Sequence, residues 1–403
     1  MLNDRLDKLG DYPFRRLTAL LADLTPPTDP APLLLSIGEP QLPAPALMMP
    51  VLTGAQAGFT KYPPAAGTPD WRQAVAGWLS RRYRLPEGFI DADRHVVPAP
   101  GTREALFLLG LTAIPTRKNG QTPAVVMPNP FYQVYAGAAV LGGASPVFVD
   151  ATEETGFLPD LDALTPELLA RTAIFYLCTP ANPQGTIAPL PYLRRLLALA
   201  RQYDFVLALD ECYAEVYVAT PPAGALEVAL ETGALDNLVV FHSLSKRSSL
   251  PGLRSGFVAG DANLISALTR VMEYGGAGMP LPIQAAAAAL WRDDAHVEDV
   301  RAVYRANFAA SERIIGSRWG RFTPPGGFFL WLNVGDGESA TRALWQHAGL
   351  KVLPGRYLAR DQADGHNPGS AYIRVALVHP PAVTEAALIR LADCLDRHEG
   401  QNQ

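Results

Sequence analysis

Phe205-Val-Leu-Ala-Leu-Asp210-Glu-Cys-Tyr213 and Leu238-Val-Val-Phe-His242-Ser243-Leu-Ser245-Lys246 are the two stretches that decide how this chain reads. Each is a short run of β-forming apolar residues that ends abruptly in acidic, hydroxyl or basic side chains. Two further stretches behave alike. Ile174-Phe-Tyr-Leu-Cys178 leads into Thr179-Pro-Ala-Asn182-Pro-Gln-Gly185, and Val96-Val-Pro-Ala-Pro-Gly101 turns into Thr102-Arg103 at the start of a helical pattern. Short, continuous apolar runs suit strands buried on both faces of a parallel sheet, where ligands bind beyond the carboxyl ends. The polar residues at these four ends are therefore the candidates for chemistry.

Working outward, strands are expected at 124–127, 146–149, 173–178, 205–209 and 238–242, with helices at 103–111, 190–203 and 222–232 between them. That alternation is the pattern of an α/β domain with a mostly parallel sheet. After Gly276 the texture changes: a long helical stretch over 284–315 precedes shorter strands at 326–332, 351–353 and 371–377, which reads as a smaller α+β domain. The expected division is an N-terminal arm at 1–50 that packs back on the small domain, a large domain at 51–285 and a small domain at 286–403. No internal repeat or low-complexity block interrupts it.

At roughly 150 residues per domain, 403 residues leave room for two to three. Apolar residues make up 48%, and 34 basic residues stand against 39 acidic ones for a net charge of -5, which disfavours a general nucleic-acid binder. The longest apolar run, 285–291, falls well short of the ~18 residues of a membrane span. The opening Met-Leu-Asn-Asp-Arg-Leu-Asp-Lys8 lacks the order of a secretory signal, so a cytoplasmic protein without membrane partners is expected. Three widely spaced cysteines form no CxxC pair and seven histidines form no HExxH, so no metal is expected. Only five lysines exist, Lys8, Lys61, Lys118, Lys246 and Lys351, which leaves few candidates for lysine chemistry.

Taken singly, Lys246 could be a solvated loop lysine and Asp210 a helix cap. At a buried strand end, however, a lysine loses solvation and becomes a usable Schiff-base amine, and a carboxylate can hold a cationic ring nitrogen. Gly101-Thr102-Arg103 opens a helix whose free N–H groups favour an anion, Ser243 and Ser245 add hydroxyls, and Arg254 can pair with phosphate oxygens. Jointly these describe a site for pyridoxal 5′-phosphate.

The order Asn182-Pro-Gln-Gly185, Asp210-x-x-Tyr213, Ser243-Leu-Ser-Lys246, Pro251-Gly-x-Arg254-x-Gly256 and a late Arg374 resembles the fold-type I, class I/II pyridoxal-phosphate aminotransferases, from Gly38-Glu-Pro40 almost to the C-terminus. The resemblance implies an aspartate aminotransferase-like large domain with a mostly parallel seven-stranded sheet, plus the smaller α+β domain. It implies that Lys246 is the Schiff-base lysine and proton shuttle, that Asp210 pairs with the pyridine nitrogen, and that Tyr213 and Asn182 hydrogen-bond the phenolic oxygen. Tyr132 rather than Phe131 would stack on the ring. Thr102, Arg103, Ser243, Ser245 and Arg254 would hold the phosphate, with Tyr62 reaching it from the second subunit of a homodimer. Arg374, with Asn182 and the backbone of Gly38, would grip the substrate α-carboxylate.

Two positions depart from the family pattern. Gln184 replaces a threonine, and Glu273-Tyr-Gly-Gly-Ala-Gly-Met-Pro280 lacks the arginine with which aspartate-type members read a distal carboxylate. Tyr12-Pro-Phe-Arg15-Arg-Leu, Ser36-Ile-Gly-Glu-Pro40, Gly101-Thr-Arg-Glu-Ala-Leu106, Pro128-Asn-Pro-Phe-Tyr-Gln-Val-Tyr135 and Asp210-Glu-Cys-Tyr213 resemble the N-succinyl-LL-diaminopimelate aminotransferase branch of bacterial lysine biosynthesis. That branch implies glutamate as donor and a long anionic substrate, with Arg15 and Arg16 as candidates to meet its far end. The alternatives are another aminotransferase of the subgroup or a carbon–sulfur lyase on the same scaffold. A DNA-binding regulator lacks the residues upstream of Gly38 for a winged helix, and a dinucleotide oxidoreductase lacks a GxGxxG after a strand.

Overall fold

The computed structural model describes residues 2–276 and 278–402. Among the described residues, twelve strands form three sheets. In chain order they are β1 (Leu33–Leu34), β2 (Val96–Ala99), β3 (Ala124–Asn129), β4 (Ser145–Asp150), β5 (Thr172–Cys178), β6 (Val206–Asp210), β7 (Leu238–Ser243), β8 (Gly256–Gly260), β9 (Phe329–Asn333), β10 (Leu350–Lys351), β11 (Leu353–Pro354) and β12 (Tyr372–Ala376). The main sheet has seven strands in the order β2-β8-β7-β6-β5-β3-β4. β3 through β7 pair in parallel, and β8 runs antiparallel to both β2 and β7. The expected strands are present except that 351–353 divides at Val352 into β10 and β11, which join different sheets. β8 was not foreseen as a strand, because Gly-Phe-Val-Ala-Gly carries glycine at both ends and too few apolar residues to signal one.

Alternation along the strands builds a core on each face. In β6, Leu207 and Leu209 join Trp71, Trp78 and Phe257 on one side. Val206 and Ala208 join Val125, Tyr135 and Phe241 on the other. The same parity carries past the apolar run, so Asp210 continues the row of Val206 and Ala208.

The expected helical stretch at 284–315 is two helices, Leu281–Arg292 and Ala295–Ile315. The break falls at Asp293 and Asp294: the Asp293 carboxylate accepts from the His296 backbone N–H at 3.1 Å, capping the second helix, while Asp294 accepts from Arg247 at 2.7 Å. Leu281–Arg292 packs on the helices Met48–Gly54 and Pro69–Tyr83.

β11-β12-β9 form an antiparallel sheet covered by the helices Gly337–Ala348 and Pro381–Asn402. β1 pairs in parallel with β10, which ties the N-terminal segment to this C-terminal layer. Among the described residues no helix is long and apolar enough to cross a membrane, and no His/Cys/Asp/Glu group could hold a metal ion.

Candidate active site

A cavity of about 520 Å³ opens beyond the carboxyl ends of β5, β6 and β7. Gly38, Thr102, Arg103, Tyr132, Asn182, Asp210, Tyr213, Ser243, Ser245, Lys246, Arg254 and Arg374 all line it. Tyr62 does not line it; its side chain is 100% exposed.

Lys246 stands in the one-turn helix Leu244–Arg247, which the Ser243 hydroxyl caps by accepting from the Ser245 N–H at 3.1 Å. Its ammonium donates to the Gly38 carbonyl. Burial pulls the Lys246 pKa down to about 8, with the Arg374 charge acting in the same direction, so the neutral amine is within reach near neutral pH.

Asp210 ends β6 with its carboxylate buried. It accepts from the Tyr135 hydroxyl at 2.8 Å and from the Cys212 N–H at 3.3 Å. Burial raises its pKa, and among the described residues no cationic side chain forms an ion pair with it. Arg374, on β12, is the opposite case. Its guanidinium is buried, donates to Asn182 Oδ1 at 2.9 Å and to the Ser36 carbonyl at 2.6 Å, and leaves Nε without a partner. Burial lowers its pKa to about 10, and it too lacks an ion-pair partner. One cavity therefore holds a carboxylate short of a cation and a guanidinium short of an anion.

The third feature is an anion cradle. Thr102 begins the helix Thr102–Ala113, whose first N–H groups have no partner within the helix. Gly101 holds φ +90°, and a Cβ there would fall 2.2 Å from Arg254 Nη2, so the approach of backbone to guanidinium needs glycine on both counts. Arg254 pairs with Glu104 at 3.0 Å. The Ser243 hydroxyl lies within hydrogen-bond distance of Ser245 Oγ (2.9 Å) and the Ser255 carbonyl (3.2 Å). Arg103 Nε donates to the Tyr132 hydroxyl at 2.8 Å.

Tyr132 faces the cavity, whereas Phe131 is turned into the core against Phe148. Gln184 is buried, with its amide directed at the Ala151 carbonyl. Ala277, within the segment that lacks arginine, lies outside the described residues.

Several lining residues were not assigned from sequence. Tyr135 was quoted within a motif without a role, although its place one turn after Tyr132 on a helix was the available signal. Cys212, 3.0 Å from Thr102 Oγ1, and Tyr12, Phe14, Ile37 and Glu39 lie in motifs that carry the resemblance but have no role assigned there, and Phe329 lies in none of them. Arg15 lines an open groove with Thr18, Ala19 and Ala22 that shares Tyr12 and Phe14 with the cavity, and Arg16 stacks over Tyr357.

Comparison with known proteins agrees with this geometry. The model of the family "Aminotransferase class I and II" matches residues 31–391. The chain belongs to that family. It is 31% identical over 405 residues to the LL-diaminopimelate aminotransferase of Desulforudis audaxviator (strain MP104C), covering 98% of this chain and 97% of that one. It is 33% identical over 362 residues to the 4-dedimethylamino-4-oxo-anhydrotetracycline transaminase OxyQ of Streptomyces rimosus, covering 89% and 92%. The crystal structure of an aminotransferase from Neisseria meningitidis Z2491 superposes with a TM-score of 0.92 at 40% identity, over 97% of this chain and 99% of that one. The fold is thus the aspartate aminotransferase-like fold type I, and the cofactor of this aminotransferase is pyridoxal 5′-phosphate. The donor set fits it: a carboxylate for a ring nitrogen, a helix N-terminus with hydroxyls and arginines for a phosphate, and a buried lysine for a carbonyl.

Proposed function

We propose that this aminotransferase moves an amino group between glutamate and N-succinyl-2-amino-6-oxopimelate, forming N-succinyl-LL-diaminopimelate. The observation that carries the amino-acid chemistry is the buried Arg374 without a counter-anion, facing Lys246 and Asp210 across one cavity. Support for the diaminopimelate side comes from the branch-like motifs of the sequence and from relatives named LL-diaminopimelate aminotransferase.

Pyridoxal phosphate, when bound, supplies an electron sink for the charge that develops on the substrate α-carbon. Asp210 keeps the ring nitrogen protonated by pairing with it, and Tyr135 holds that carboxylate in place. Arg374 forks the α-carboxylate, with Asn182 fixing the guanidinium plane. Lys246 Nζ, neutral in part near pH 8, would take the α-proton and hold it for return. Thr102, Ser243, Ser245, Arg103 and Arg254 would anchor the phosphate, Tyr132 would cover the ring, and Tyr213 and Asn182 would serve the phenolic oxygen. Tyr62 of a second copy completes the phosphate cup in a homodimer.

The test is a half-reaction followed by absorption. Glutamate and N-succinyl-LL-diaminopimelate should each convert the cofactor of the purified enzyme to its amine form and release one equivalent of oxo acid. Conversion by glutamate alone would leave an aminotransferase of another substrate. Release of ammonia and keto acid without an acceptor would point instead to the lyase.

A further inference from the structure

A carboxylate far from the α-carbon needs a cation that Arg374 does not supply. The other cavity-lining cations are engaged: Arg103 with Tyr132, Arg254 with Glu104, and Lys246 with the Gly38 carbonyl. At the outer edge of the site two arginines are not. Arg16 Cζ lies 3.9 Å from the centre of the Tyr357 ring, and Arg360 Cζ lies 5.0 Å from the centre of the Phe131 ring. Both are half-buried, and among the described residues neither guanidinium forms an ion pair. The two charges feel each other: burial lowers the Arg360 pKa and the Arg16 charge lowers it further.

The acids nearby are partly engaged, although Asp361 also acts on both arginines. Asp361 pairs with Arg356 at 3.1 Å and accepts from Asn367 at 2.8 Å, and Glu338 accepts from the Tyr357 hydroxyl. Three arginines, 16, 356 and 360, therefore face two carboxylates, which leaves one positive charge in excess. Adjacent cations withdrawn from water are unfavourable until an anion joins them.

Neither arginine lines the cavity itself; each stands on a segment that adjoins the lining. Arg16 follows the cavity-lining Tyr12 and Phe14 on the helix Pro13–Leu20. The segment carrying Arg360 is fastened to the one carrying Tyr132, because the Phe131 N–H donates to the Leu358 carbonyl at 2.9 Å and the Gln133 amide to the Tyr357 carbonyl at 3.3 Å. Gly10 closes the corner, where a Cβ would lie 2.8 Å from Arg360 Nη2. Arg15 turns into the neighbouring open groove and is exposed, whereas Arg16 and Arg360 are half-buried.

We infer that Arg16 and Arg360 form an anion-binding pair at the entrance to the cavity that takes the distal carboxylate of the substrate. They select amino acids whose side chains end in a carboxylate over neutral ones of similar length. This inference rests on the aminotransferase reading and replaces the Arg15/Arg16 pairing expected from sequence.

The test compares kcat/KM for glutamate, N-succinyl-LL-diaminopimelate and norleucine in the wild type, Arg16→Gln, Arg360→Gln and the double variant, with Arg15→Gln as control. Each single substitution should lower the ratio of anionic to neutral donor on the order of tenfold, mainly through KM. Arg360→Lys should recover part of that ratio, and Arg15→Gln should keep the wild-type ratio. A ratio within about twofold of wild type in the double variant would overturn the inference. So would an equal loss for all three donors at an unchanged thermal midpoint, because it would mark a general structural role. A wild type that holds the cofactor yet converts none of the three would overturn the aminotransferase reading, and this inference with it.

Discussion

Asp210 and Glu211 are adjacent in the chain and serve opposite faces of the sheet. Asp210 meets Tyr135 in the cavity, while Glu211 accepts from the Tyr83 hydroxyl at 2.6 Å and the Ala225 N–H at 2.9 Å behind it. Replacing Asp210 with Asn keeps the shape but removes the charge, and turnover should fall by at least about 100-fold. Tyr135→Phe removes one hydrogen bond to a charged group, worth about 1.5–3 kcal/mol, and should cost a smaller factor; steady-state rates of the two variants check the order. Lys246 gives a pH prediction. Because burial lowers its pKa to about 8, the protonated, unreactive form dominates below that pH and the free amine above it. Cofactor uptake by the cofactor-free protein should therefore quicken about tenfold per pH unit below about 8 and level off above it. A rate still climbing at pH 10 would mean an unshifted lysine. These positions were legible in the sequence for a physical reason: period-two alternation puts Asp210 with Val206 and Ala208, and Ser243 with Val239 and Phe241, on one face. The ion-pair state of Arg254 was not legible, since Glu104 meets it only after the chain folds.

The start of the helix Thr102–Ala113, the turn Leu244–Arg247 and the ends of β5 and β6 bring the residues proposed for the cofactor together. Each was readable as an apolar run followed by polar residues. Gly101 is the tightest point of this arrangement. Gly101→Ala would strain a φ of +90° and press a methyl group into Arg254, so cofactor affinity should fall by about tenfold or more, while thermal stability of the cofactor-free protein changes less. Equilibrium titration with pyridoxal phosphate measures both states. What alternation could not show is which distant segment covers the mouth. Tyr12 and Phe14 reach the cavity because β1 pairs with β10 some 300 residues later, a long-range pairing with no local signature. The break at Asp293 was missed because two acidic residues read as readily as a helix surface as they do as a cap.

Across the whole molecule, the site lies between the main sheet, which supplies Asp210 and Lys246, and the small sheet, which supplies Arg374. The hydrogen bond from Arg374 to Asn182 spans the two. Tyr62 and Tyr274 stand 100% and 87% exposed, and Phe59 and Met49 more than half. If a second copy covers them, Tyr62→Phe should weaken cofactor binding several-fold in a protein that still sediments as a dimer. A monomer with full activity would refute the shared site.

The central claim is that Lys246 holds the cofactor. After loading with pyridoxal phosphate, reduction with borohydride and proteolysis, mass spectrometry should find the pyridoxyl group on the peptide containing Lys246 and on no other lysine. Lys246→Ala should carry none and should not turn over. A label on Lys8, Lys61, Lys118 or Lys351, or an active Lys246→Ala, would contradict the account.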